Sequence, residues 1–398
     1  MYIKISKWKN NAFSPVVFMI DDIANVVMKK SQSDALRIGE DWGHFGREKN
    51  SMWSFLFDNL LSKFPEVKTT FFLVTESRAP MCLHESYTYT EDIEKDNHFK
   101  EFLKYLDKNP NIELAYHGTS HGKAAEEYDD FLQEWETFNS LSEATTQINR
   151  GKELFKNVLG HYPSGGKYCG YMAGDFGDES IANTHFKWWS YNYDYLKWDK
   201  NHENKEYTFD LNTNRGVVNI PTTVDASTLS LKIVKKFFKR KYLKSLYLFL
   251  MKRKTIEGHI ESLYQNREVI SLYEHSSPYR TDKVIQYPNI VSDIDNLNYL
   301  FTLLSKKDVW YATCDELANY YLDREKVEIE EDNNNFKLIA NRPLLGELTL
   351  VFPDNGEELF LCDEEDSIIK KCILKEDEQM VTYQFEINKN YKILGSKR

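Results

Sequence analysis

A chain of 398 residues with 41% apolar and 14% aromatic side chains can bury a large core, and no low-complexity tract points to extensive disorder. Its net charge of −11 excludes a general nucleic-acid binder, which needs a basic balance. The sequence has neither a long apolar run of membrane-spanning length nor a leader-like apolar stretch with a small-residue cleavage site. Its five cysteines lie outside any C-x-x-C pair, so free thiols in a reducing cytoplasm are the expectation.

Taken in order, Val16–Ile20 is a continuous apolar run between Ser14-Pro15 and Asp21-Asp22, the pattern of a strand covered on both faces. A polar loop follows, with Glu40-Asp41-Trp42-Gly43-His44 placed where it could overhang the end of that strand. Ser51 predicts the cap of a helix over Met52–Phe64, Thr69–Val74 predicts a second strand, and Phe99–Leu106 a helix. Ile112–Tyr116 predicts a third strand, which delivers His117 and His121 at its end. Two histidines spaced i, i+4 lie side by side on a helical turn, and neutral imidazoles are common donors for a metal such as Zn²⁺. Alternating strands and helices predict an α/β architecture with parallel strands.

Glu126–Leu159 has helical spacing, with Gly160 as its C-terminal cap. The loop 160–180, GHYPSGGKYCGYMAGDFGDES, is too long for a simple connector and so suits a functional role. Trp188–Trp198 alternates aromatic and polar residues, as either a strand at a barrel rim or a set of faces for sugar rings. Leu231–Lys254 carries ten Lys or Arg and no acid on an amphipathic helical pattern. That segment is either an inserted surface helix, spanning about 229–258, or one that contacts an anionic membrane surface or anionic polymer. Glu268–Tyr273 predicts a strand ending in Glu274-His275. Helix Ile290–Ser305, strand Val309–Ala312 and helix Asp315–Tyr321 complete a first domain over 1–325. Alternating strands and turn-forming residues over 326–398 predict a small β-sandwich-like module, to which no chemistry is assigned.

Three predicted strands therefore end in ionisable groups: Asp21-Asp22, His117 with His121, and His275. On one rim of an α/β barrel such groups converge, and a carboxylate with two imidazoles fills three positions of an open metal site. The ordered set MIDD (Met19–Asp22), H-x-x-x-H (His117–His121) and L-x-x-H (Leu272–His275) resembles the NodB-type polysaccharide deacetylases, carbohydrate esterase family four. The downstream WYATCDELANYY is similar to the end of that domain.

The resemblance, over roughly residues 14–325, implies an irregular (β/α) barrel of about seven strands and metal-dependent hydrolysis of an acetamide on an amino sugar or polysaccharide precursor. It implies Asp22, His117 and His121 as ligands of a divalent metal, with Zn²⁺ the expected ion. Asp21 would be the base and His275 the acid that protonates the departing amine. Lys167, Tyr168, Tyr171, Trp189 and Asp194 would line the substrate. Two positions depart from the family pattern. Gly118 stands where Ser or Thr follows the first histidine, and GGKYCGY offers Lys167 where an R-x-P run would supply arginine. These departures and the aromatic stretch leave a second class open: a carbohydrate-binding protein without turnover, or a hydrolase of another linear amide.

Overall fold

Seven parallel strands organise the larger unit of the chain in the computed structural model, which describes residues 2–28, 40–84, 87, 89–192, 209–226, 254, 256–276, 287–332 and 334–397. Among the described residues these are β1 (Ser14–Ile23), β2 (Thr69–Leu73), β3 (Ile112–Tyr116), β4 (Gly165–Lys167), β5 (Trp188–Asn192), β6 (Val217–Thr222) and β7 (Ile270–His275). They neighbour one another in the order β6-β5-β4-β3-β2-β1-β7. Thr223 alone separates β6 from Val224–Asp225, which pairs in parallel with Leu272 and Tyr273 of β7. One run thus pairs with β5 through its first half and with β7 through its second, closing an irregular seven-stranded (β/α) barrel. All ten residues of β1 are buried, as expected of a central parallel strand with both faces covered.

Helices follow the strands. Ser51 caps α1 (Met52–Leu56) by accepting from the Ser54 N–H. The predicted longer helix changes pitch after Leu56 into a π-helical turn closed by the Ser62 N–H on the Phe57 carbonyl. Asp96 caps α2 (Asn97–Asp107). Helix α3 (Leu141–Leu159) starts at the Ser140 cap and ends at Gly160 with φ 87. The helix expected from Glu126 is therefore absent over its first fifteen residues. Leu132–Gln133 instead pairs with Gly122–Lys123, and a 3-10 turn over Glu134–Glu136 directs the Glu134 side chain inward. Helix α4 (Ile290–Leu304) follows β7. The basic segment Leu231–Lys254, apart from Lys254, lies outside the described residues.

The smaller unit comprises Met1–Pro15, Asp308–Trp310 and Glu316–Arg398, a different division from a break after residue 325. It has two antiparallel sheets. In one, Lys4–Ile5 pairs with Leu348–Pro353, which pairs with Glu378–Tyr383. In the other, Asn390–Lys397 lies between Asn335–Ile339 and Glu357–Cys362. Gln379 links the sheets, accepting from the Leu359 N–H and donating to the Glu357 carbonyl. Phe336, Phe385 and Tyr391 pack in its core. No helix among the described residues is long and apolar enough to cross a membrane.

Candidate metal and catalytic site

Adjacent residues of a flat strand point to opposite faces, so Asp21 and Asp22 need a distortion to serve one site. β1 supplies it. Ile20 pairs with Phe71 and Ile23 with Leu73, so β1 carries one extra residue there, and Asp22 takes φ 70. The bulge aims Asp22 at the histidine loop and Asp21 at β4 and β7. Strain of this kind in a non-glycine residue persists where its surroundings over-determine it.

The loop after β3 is held from below by one buried carboxylate. Glu134 accepts the backbone N–H groups of Thr119, Ser120 and His121, all at 2.8–2.9 Å. Burial pushes its pKa up, and those three N–H groups pull it back. His121 sits at φ 72 as a result of this loop path. Gly118, at φ 84, could not carry a side chain: a Cβ would lie 2.7 Å from Glu134 Oε2 and 2.9 Å from Cys169 Sγ. That crowding is the physical reason for glycine at this position. The hydroxyl of Thr119, one residue on, is engaged by Tyr116 Oη at 2.6 Å and donates to the Gln147 carbonyl.

Asp22 Oδ1 lies 2.8 Å from His121 Nε2 and 3.4 Å from His117 Nε2, all three residues being buried. Burial opposes the charge on Asp22, but His121, Arg78 and His117 outweigh it and hold the carboxyl well below its ordinary range. Burial first, then the Arg78 charge, push His121 down to about 4, so it is neutral at pH 7. His117 Nδ1 lies 3.1 Å from the Lys167 carbonyl, which can only accept, so Nδ1 carries the proton. Nε2 is then the nitrogen turned to Asp22, and a backbone carbonyl orienting the far ring nitrogen is the usual support of a metal-bound histidine.

The donor set fits a divalent metal. A tetrahedral zinc site has ligand–ligand edges of about 3.3 Å, which the His117–Asp22 separation matches and from which the His121–Asp22 separation falls short by about half an ångström. Cys169 is a further neighbour: His117, His121 and Cys169 each place a ligand atom within 4.8 Å of the others.

Asp21 belongs to a second group on the same rim. Lys167 Nζ lies 3.0 and 2.8 Å from its two oxygens, and His275 Nε2 lies 3.8 Å from Oδ2. His275 Nδ1 donates to the Pro288 carbonyl at 2.7 Å, which leaves Nε2 as the nitrogen that can exchange a proton towards the site. Lys167 is fully buried, its ammonium 4.3 Å from the Tyr171 ring centre and 4.8 Å from that of Tyr273. Burial lowers its pKa and Asp21 raises it again. Lys167 therefore pairs with Asp21 as a point charge among aromatic faces.

The remaining predicted residues divide. Tyr171 is half-buried over Lys167, its hydroxyl 2.9 Å from that of Thr222. Tyr168 and Trp189 are in the core instead, packed with Trp135 and Phe186, and offer no open ring face to a substrate. Asp194 lies outside the described residues. In the loop expected to overhang the site, Asp41 is structural, accepting from the N–H groups of Gly43 and Met52.

Sequence reasoning missed Arg78, Glu134 and Cys169. Arg78 lies on the loop after β2, on the same rim as the other site residues, and its Nη2 is 3.7 Å from Asp22 Oδ2. Its position just beyond a strand end was the available signal. Glu134 was hidden in a stretch with helical spacing, and Cys169 in a loop already singled out for its length.

No family model matches the chain, and no curated protein matches it. Solved structures do. A Mycobacterium smegmatis protein described as a polysaccharide deacetylase is 15% identical with a TM-score of 0.48, over 81% of this chain and 94% of its own. Puue allantoinase is 13% identical with a TM-score of 0.47, over 78% of this chain and 91% of its own. A CE4-family pseudoenzyme from Bacillus anthracis is 12% identical with a TM-score of 0.37, over 77% of this chain and 65% of its own.

Proposed function

We propose that this chain is a metal-dependent amide hydrolase that removes the acetyl group from an N-acetylated amino sugar or a polysaccharide precursor. The observation that carries the reading is the division of labour between adjacent aspartates: Asp22 faces the imidazoles of His117 and His121, while Asp21 faces Lys167 and His275. Asp22, His117 and His121 would hold the divalent metal, with Zn²⁺ the expected ion, which when bound polarises a water molecule and the acetamide carbonyl. Asp21 takes the proton of the attacking water as the new C–O bond forms. His275 Nε2 delivers a proton to the nitrogen as the C–N bond breaks, releasing acetate and the free amine. Tyr171 and Tyr273, half-buried around Lys167, would be the aromatic side chains nearest the sugar. Free, buried cysteines support a cytoplasmic setting, and with it a soluble, nucleotide-linked or lipid-linked sugar as substrate.

The second reading is a carbohydrate-binding protein without turnover. The hold of Lys167 on both oxygens of Asp21 favours it, since a base must release its partner to take a proton. Metal content of the purified chain, with amine release from a panel of N-acetylated sugars, separates the two. About one equivalent of metal with amine release supports the hydrolase. Metal and sugar binding without any release supports the binding protein.

A further inference from the structure

Arg78 is a permanently charged side chain sealed beside the candidate metal carboxylate. It is 1% exposed. Its Nη1 donates to the Tyr87 hydroxyl at 2.9 Å and the Ala79 carbonyl at 3.3 Å. Its guanidinium lies 4.2 Å from the Trp42 ring centre, in a wall formed with Ala24, Val26, Met28 and Val74. Its backbone N–H donates to the Thr90 hydroxyl. The guanidinium is thus held at Nη1 and over the Trp42 ring, Nε has no hydrogen-bond partner among the described residues, and Nη2 faces Asp22 Oδ2 at 3.7 Å. Asp22 divides its oxygens: Oδ1 turns to the two histidines and Oδ2 to the arginine.

We propose that Arg78 is a resident counter-ion that competes with the metal for Asp22. This rests on the assignment of Asp22, His117 and His121 as the metal site. An arginine does not titrate away in a protein, so its charge persists whether or not a metal is bound. Without metal it lies beside a fully buried carboxylate held at φ 70 and offsets part of the cost of burying that charge. A dication held by Asp22 would share that carboxylate with the guanidinium and be repelled by its charge across a poorly screened interior. The two effects together make the site stable when empty and its metal exchangeable, in contrast to a site that depends on its ion to fold.

The test compares full-length Arg78→Met and Arg78→Gln with wild type and with Tyr87→Phe, which loosens the arginine but keeps its charge. Zinc affinity is measured by competition with a chromophoric chelator, and melting is recorded in EDTA and in excess zinc. Both neutral variants should bind zinc about tenfold tighter or more, and Tyr87→Phe should stay within about twofold of wild type. The neutral variants should melt earlier than wild type in EDTA, with zinc closing the gap. If wild type binds zinc and folded Arg78→Met and Arg78→Gln bind it equally or more weakly, Arg78 is not a competitor, while the metal site stands. Absence of zinc binding in every variant removes the metal site itself and the competition with it.

Discussion

Replacing Glu134 by alanine tests whether the histidine loop is held in place by a single carboxylate. Three backbone N–H groups end on it. Ser120 is half-exposed, so water can take over its bond, but Thr119 and His121 are buried. Two buried donors left unsatisfied cost about 1–3 kcal/mol each. Part is recovered because the buried charge itself no longer needs to be accommodated, so a net loss of about 2–4 kcal/mol is expected. That is a large share of the roughly 5–15 kcal/mol by which domains are stable. The backbone bonds from Thr75, Glu76 and Ala79 to the carbonyls of Gly118, Thr119 and Ser120 remain, so the loop should loosen without leaving the barrel. Glu134→Gln, which keeps one acceptor but turns an amide N–H₂ towards a donor, should lose about half as much. Urea unfolding gives the stability change and chelator competition the zinc affinity, which should fall in the same order. An Glu134→Ala protein with unchanged unfolding and unchanged zinc affinity would show that the carboxylate is a bystander.

Other outcomes follow from the same geometry. Asp21→Asn and His275→Ala should each keep zinc and lose about 10²–10⁴ in deacetylation rate, whereas Asp22→Asn should lose zinc first; near-normal turnover in Asp21→Asn removes it as the base. Gly118→Ser, which restores the residue type of the resembling family, should destabilise the protein in thermal melts, because a Cβ there meets Glu134 and Cys169 at a positive φ. Glu274 is buried with no hydrogen-bond partner for either oxygen among the described residues, and burial, then Asp293, Asp225 and Asp21, push its pKa well up. Its folded form keeps a proton that the unfolded chain releases above roughly pH 4.3, so it contributes a stability that falls as pH rises from there. Glu274→Gln should flatten that part of the melting-temperature profile between roughly pH 5 and 8, and an unchanged slope would show that Glu274 is ionised in the fold.

What was legible in the sequence was the end of each strand. A short, largely apolar run stopped by ionisable residues marks a buried strand delivering chemistry to a rim, and Val16–Ile20, Ile112–Tyr116 and Glu268–Tyr273 all have that form. Illegible were residues whose role depends on where the chain returns. Phe131, Trp135 and Phe138 imitate helical spacing, yet they pack from 3-10 turns and loops because Glu134 between them is needed under the histidine loop. Trp189 and Tyr168 read equally well as sugar faces or as core, and only burial among Trp135 and Phe186 decides for core. Arg78 stands in a polar loop with nothing in its neighbours to suggest that its side chain is sealed.

The two departures from the family pattern also become intelligible together. A hydroxyl residue after the first histidine could hold its own loop by a local hydrogen bond. Here no side chain fits at Gly118, because Glu134 and Cys169 occupy that space, and Glu134 does the holding from outside through three backbone N–H groups. Cys169 reaches that space because the turn after β4 runs Lys167-Tyr168-Cys169, with the Cys169 thiol donating to the His117 carbonyl. The same turn sets Lys167, whose carbonyl orients His117 while its ammonium pairs Asp21. One residue therefore positions a proposed metal ligand through its backbone and the proposed base through its side chain. Substituting Lys167 would remove only the second of these contacts, so Lys167→Met separates the base from the metal: zinc affinity is expected to stay near wild type while turnover falls. Equal loss of both would mean that the buried ion pair holds the whole rim together.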